Sequence, residues 1–175
     1  MITRRPEPVP REAAPLRIER VRNGRGLVAN RSFAAGAPIT PLDGRVMTSR
    51  TVWNWWTRDP RRAANCIRFD ADRYLDPSGE WGEFANHGCW PNAAIMRERG
   101  RLVLRALLAI RAGEEVLHDY STLLGADDVW SMRCNCGAPQ CRGRVLRFDQ
   151  LPGATLRRYR RMGAIPGFIL RTTTT

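Results

Sequence analysis

N-H-G-C-W-P-N, residues 86–92, is the stretch on which the reading of this chain turns, because the cysteine inside it has counterparts downstream. C-x-C-x4-C follows at Cys134, Cys136 and Cys141. Cys89 and this trio form a 3+1 set of thiolates, the donor set of a closed tetrahedral Zn²⁺ site. Such a site would clip the C-terminal segment back onto the middle of the chain and wall off a pocket between them. Four thiolates leave no open position for water, so the expected zinc is structural and not a Lewis acid. The competing use of Cys89, as a nucleophile activated by His87, leaves the other three cysteines without a purpose. Cys66 falls outside the set and is expected as a small core residue.

A chain of 175 residues fits a single domain with room for a small appendage. Apolar residues make up 43% and charged residues 26%, as in globular proteins. No apolar run approaches the length of a membrane span. Residues 1–15 lack the apolar stretch of a secretory signal and hold four prolines and two glutamates, so they read as a disordered arm. Cysteines without such a signal point to a reducing, cytoplasmic setting, where metal ligation outranks disulfides. The net charge is +12, and all 29 basic residues are arginine. A GC-rich, bacterial coding sequence explains that bias; selection for phosphate or carboxylate recognition is the other explanation. Positive charge favours nucleic acid or acidic proteins as neighbours.

Short segments of strand pattern recur between glycines and prolines, at residues 16–21, 26–29, 38–42, 66–69, 93–97, 101–105 and 115–117. Residues 98–100 read as the turn of a hairpin. One helix is expected after Ser49, carrying Val52, Trp53 and Trp56 and stopping before Pro60. Trp53, Trp55 and Trp56 are expected to form a core cluster on that helix. A second helix is expected over residues 154–162, ending at Gly163, with residues 172–175 frayed. Among these elements, R-N-G-R-G-L-V-A at residues 22–29 places two glycines before a strand, and A-G-E-E-V-L-H-D-Y at residues 112–120 ends in an acidic-aromatic pair.

Taken in order, these segments resemble the SET-domain protein-lysine methyltransferases with a post-SET zinc motif. That family runs G-x-G, then N-H-S-C-x-P-N, then G-E-E-L-x-x-D-Y, then C-x-C-x4-C. The counterparts here are Gly24 and Gly26, residues 86–92, residues 113–120, and Cys134 to Cys141. The resemblance implies a mainly β fold of small sheets with a knot-like C-terminal crossing, a zinc-clipped post-SET segment and a short C-terminal helix. It places a SET domain at 16–124 and a post-SET segment at 130–146; the helix expected over 154–162 makes 147–175 a helical extension. It implies S-adenosylmethionine as cofactor, contacted by Gly24, Arg25, Gly26, Asn86, His87 and Tyr120, with Val145, Leu146 or Phe148 packing on the adenine. Tyr120 is the implied catalytic tyrosine, and Cys89, Cys134, Cys136 and Cys141 the implied zinc ligands. The implied partner is a protein carrying the target lysine, with nucleic-acid contact open and no membrane; a eukaryotic source would make the setting nuclear.

The implied chemistry is an in-line methyl transfer to a neutral amine, so alignment supplies much of the catalysis. Free lysine has a pKa near 10.4. A sulfonium about 4 Å away costs the ammonium about 4 kcal/mol at an effective dielectric near 20. That lowers the pKa by about 3, to roughly 7.5, so a dedicated strong base is unnecessary. Three positions depart from the family. Glu83 stands where arginine is usual, His118 where phenylalanine or tyrosine governs how many methyls fit, and Ile67 where many members have a second channel tyrosine. These departures keep an alternative in view, a catalytically degenerate SET fold binding nucleic acid or protein through its arginines.

Overall fold

The computed structural model describes residues 14–68 and 70–172. The expected N-terminal arm falls almost wholly outside them, as do residue 69 and residues 173–175. In chain order the strands and helices are β1 (Leu16–Val21), β2 (Gly24–Ala29), β3 (Pro38–Leu42), β4 (Arg45–Thr48), α1 (Ser49–Trp55), α2 (Pro60–Asn65), β5 (Ile67–Arg68) and β6 (Arg73–Asp76). Then come β7 (Ala93–Glu98), β8 (Arg101–Ala106), β9 (Met132–Arg133), β10 (Arg144–Val145), α3 (Gly153–Arg161) and α4 (Gly167–Thr172). The strands form four small antiparallel sheets, β1-β2, β3-β8-β7, β4-β6-β5 and β10-β9. The expected mainly β architecture of small sheets is what the chain adopts.

Turn chemistry sets the registers. Arg99 and Gly100, at φ 47° and 83°, close β7 onto β8 so that Glu98 faces Arg101. Two left-handed residues in a two-residue loop match the twist of the flanking strands. The central core joins Leu16 and Leu27, Ile39, Ile95 and Leu104, and Ile67 and Leu75 from three different sheets, with Val116 from a connector. A second cluster holds Phe148, Leu151, Tyr159, Ile165 and Phe168 against Ala94 of β7. The C-terminal helices are therefore packed on the SET-like body through their own apolar core.

Several elements differ from the sequence reading. Helix α1 does stop before Pro60, at Trp55, but Pro60 opens α2: Asp59 accepts the Arg62 N–H at 3.1 Å, and proline fits the first helical position because its missing N–H is not needed there. Residues 115–117 make only an isolated bridge, with Val28. They form an extended connector, hydrogen-bonded to β2 through Leu27 and to Asn92 and Ala93 on the other side. Strands β4 and β6 escaped notice, being four residues each with little alternation. The extension holds two helices where one was expected, and Thr172 belongs to α4. Trp53 is 54% exposed, so only Trp55 and Trp56 pack into the cluster with Val52 and Tyr74. Cys66 is only half-buried, against that same cluster.

Candidate functional site

Residues 86–88 and 118 run side by side and parallel. The His118 N–H donates to the Asn86 carbonyl at 3.1 Å, and the Gly88 N–H donates to the His118 carbonyl at 2.9 Å. This pairing brings the N-H and D-Y motifs into contact, as the expected crossing requires. His87 is buried, and its Nδ1 accepts the Tyr120 N–H at 3.2 Å. The proton then sits on Nε2, which faces the Cys89 Sγ at 3.3 Å. Burial lowers His87 to about 4 against the opposing pull of Asp119. The ring is a neutral strut between the cysteine set and the tyrosine.

Tyr120 opens a short 3-10 turn (Tyr120–Leu123) whose N-cap is Asp119. Its hydroxyl donates to the Ala85 carbonyl at 3.1 Å, and burial raises its pKa to about 12. The phenol therefore stays protonated at neutral pH, its hydrogen is engaged, and only its oxygen lone pairs remain available to accept a further hydrogen bond. Its ring lies 4.9 Å from His118 and 6.1 Å from Trp130. These three rings, with Tyr74, Trp56 and Ile67, wall a pocket of about 630 Å³ counted to its open mouth. Tyr74 is a finding that the sequence reading missed. Ile67 does occupy the pocket wall, but the paired central strand β6 presents a second tyrosine to the same space. The Tyr74 hydroxyl donates to Asp128 at 3.2 Å, and Asp128 also takes the buried guanidinium of Arg68.

His118 is buried with Nδ1 lacking a hydrogen-bond partner, and burial, with the neighbouring His87, lowers it to about 4. Glu83 is exposed and accepts the Gly79 N–H at 2.6 Å, so the carboxylate caps a turn in place of the family's guanidinium.

A second grouping lies at the β1-β2 turn. Asn86 donates through Nδ2 to the Arg25 carbonyl and to Glu115, both at 3.0 Å. Gly24 takes φ 98°, a conformation that favours glycine. Gly26 is packed so closely that a Cβ there would lie 2.6 Å from Glu115 and 2.7 Å from Asn86. Arg25 is exposed and sits over the Phe84 ring. Gly24, Arg25, Gly26 and Asn86 thus cluster together, outside the Tyr120 pocket. Val145 and Phe148, two of the expected adenine contacts, are buried, and Leu146 packs against the same C-terminal cluster as Phe148.

Cys89, Cys134, Cys136 and Cys141 converge, with all four sulfurs within 4.8 Å of one another. The Cys89–Cys134 and Cys134–Cys141 separations are 3.5 and 3.6 Å. A tetrahedron with Zn–S bonds of about 2.3 Å has edges of about 3.8 Å, so the four donors fit the ion. Burial raises the Cys89 thiol to about 11 and also raises Cys134. Burial opposes the Cys136 thiolate too, yet N–H groups from Cys89 and Ala138 bring it down to about 7.

Asp119 joins these parts. Its buried carboxylate accepts from the Ser121 N–H at 3.0 Å, from Arg142 beside the cysteine set at 2.8 Å, and from the Tyr159 hydroxyl of α3. One carboxylate next to Tyr120 thus anchors both the post-SET-like segment and the C-terminal helix. Asp119 was readable as part of the D-Y pair; Tyr159 carried no signal in the sequence.

The SET domain family model matches residues 24–121. This chain belongs to the SET-domain family. A Mycosarcoma maydis protein named histone-lysine N-methyltransferase, H3 lysine-4 specific, is 34% identical over 126 residues, covering 67% of this chain and 9% of that protein. A Schizosaccharomyces pombe protein of the same name is 40% identical over 127 residues, covering 67% and 14%. Human histone-lysine N-methyltransferase 2B is 30% identical over 128 residues, covering 69% and 5%. This SET chain spans less than a sixth of each relative's length. All three relatives are eukaryotic, so they lend no support to the bacterial origin suggested by the arginine bias. Among the described residues, no helix is long and apolar enough to cross a membrane.

Proposed function

We propose that this chain is a protein-lysine N-methyltransferase that uses S-adenosylmethionine. The observation that carries this reading is Tyr120, fixed at the wall of an aromatic pocket by the paired N-H and D-Y segments. The relatives' names supply the substrate class, a lysine of a histone-like protein, and with it a nuclear setting in a eukaryotic host.

The donor, held by the close-packed turn of Gly24, Arg25 and Gly26 with Asn86 and His87, would supply an electrophilic methyl group. The protein's own contribution is alignment and desolvation. Tyr120 has its hydroxyl hydrogen on Ala85, so its oxygen can only accept a hydrogen bond. That suits holding an amine N–H and aiming the nitrogen lone pair. The pocket walls of Ile67, Trp56, Tyr74 and Trp130 strip water from the ammonium and favour its neutral form. Tyr120 is too weak an acid to serve as phenolate at neutral pH, so the proton leaves to solvent before transfer. Cys89, Cys134, Cys136 and Cys141 would hold one zinc ion, which ties the C-terminal segment to the N-H motif and takes no part in the chemistry.

Tritiated methyl donor incubated with recombinant histone H3 and with native-source lysate tests the proposal. We expect a labelled protein band that Tyr120→Phe reduces on the order of 100-fold, the scale of a lost alignment. Equal labelling by the variant would refute Tyr120's role. No labelling by either protein would favour the degenerate binding module.

A further inference from the structure

We propose that the outer face of α3 is a docking surface for a nucleic-acid phosphate backbone, held rigidly against the active site by the helix's inner face. Helix α3 reads G-A-T-L-R-R-Y-R-R and contains no acidic residue. At about 100° per residue, Arg157, Arg160 and Arg161 fall within an arc of roughly 100°, with Tyr159 on the opposite side. All three arginines are exposed, and none has a recorded ion pair among the described residues. Arg158 does not belong to this stripe: it turns inward, donating to the Pro91 carbonyl and stacking 3.9 Å from the Trp90 ring.

The inner face is what distinguishes this stripe from an ordinary solvated one. Tyr159 is fully buried and bonds to Asp119, the residue before Tyr120. Leu156 and Met162 pack into the same C-terminal cluster. The three guanidinium groups therefore ride on an element fixed to the catalytic segment and cannot swing like a tail.

Charge selects the occupant. Three planar guanidinium forks, with no lysine anywhere in the chain, suit bidentate contact with phosphate oxygens. A chain of net charge +12 repels a basic protein substrate. A polyanion bound by both proteins removes that repulsion, and nucleic acid offers one charge per about 1.7 Å of duplex. Binding stands on the helix alone; its use in presenting substrate rests on the methyltransferase reading.

The test is fluorescence anisotropy of a labelled duplex of about 20 base pairs with the full chain, at salt from about 50 to 200 mM. It compares wild type with the triple variant Arg157→Gln, Arg160→Gln, Arg161→Gln, its fold checked by thermal melting. Each neutralised phosphate contributes about 0.9 to the slope of log K against log salt, so the variant's slope should be shallower by about 3. Its affinity should fall at least tenfold, while methylation of a free lysine peptide stays at the wild-type level. An unchanged slope, or tighter wild-type binding to polyglutamate or anionic vesicles than to the duplex, overturns the proposal. Because anisotropy needs no turnover, a wild-type chain that binds the duplex but does not methylate the peptide would count against the enzyme reading and leave the docking surface standing.

Discussion

His118 and His87 are sealed from water beside Tyr120, and in both the imidazole is held neutral, with its pKa lowered to about 4. The unfolded value is near 6.5, so these groups contribute stability that is fully present above pH 6.5 and lost as pH falls toward 4. The shift corresponds to on the order of 3 kcal/mol for each histidine. Replacing His118 with phenylalanine should flatten this dependence. Between pH 7.5 and 4.5, the urea midpoint of wild type should drop further than that of His118→Phe; equal drops would contradict the account. Any acid sensitivity from the cysteine set is common to both proteins and cancels in the comparison. At this scale the sequence was informative where a residue sits in a short motif, even though the contacts themselves bridge distant stretches of chain. Asn86, His87, Cys89 and Tyr120 all sit in such motifs. Tyr74 was not legible, because only strand pairing with β5 brings it to the wall that Ile67 occupies.

Among the elements, the β1-β2 turn and α3 lend themselves to substitution. At the β1-β2 turn, Gly26→Ala would press a methyl against Glu115, Val21 and Asn86. We expect a loss of about 1–3 kcal/mol in stability and a smaller thermal shift on adding S-adenosylhomocysteine. In α3, Tyr159→Phe removes one hydrogen bond to the buried carboxylate of Asp119 while leaving Arg142 and the Ser121 N–H in place. A bond to a charged group contributes about 1.5–3 kcal/mol. Turnover should fall with peptide KM little changed, because Asp119 positions Tyr120 without touching substrate; an unchanged kcat would show that the helix is only packing. The hairpins and the C-terminal end of α3 could be read from glycine placement, since Gly100 and Gly163 take left-handed φ where those elements turn or stop. The link from α3 to Asp119 could not, because forty residues separate Tyr159 from its partner.

Three of the four small sheets share the central core, and the fourth lies in a distal segment whose cysteines converge on Cys89. Strands β9 and β10 are two residues each, too short to hold residues 132–145 by themselves. Removing zinc with a strong chelator should therefore speed amide exchange there while β7 and β8 remain protected, as read by mass spectrometry. The 3+1 cysteine pattern made this convergence legible from the sequence. The second apolar cluster was hidden, because Phe148, Tyr159 and Phe168 acquire a common core only once α3 and α4 fold against β7. Native mass spectrometry of the reduced, purified chain tests the central claim most directly. The account predicts one zinc ion per chain and, on addition of S-adenosylhomocysteine, one bound nucleoside. A metal-free chain that ignores the nucleoside would contradict it.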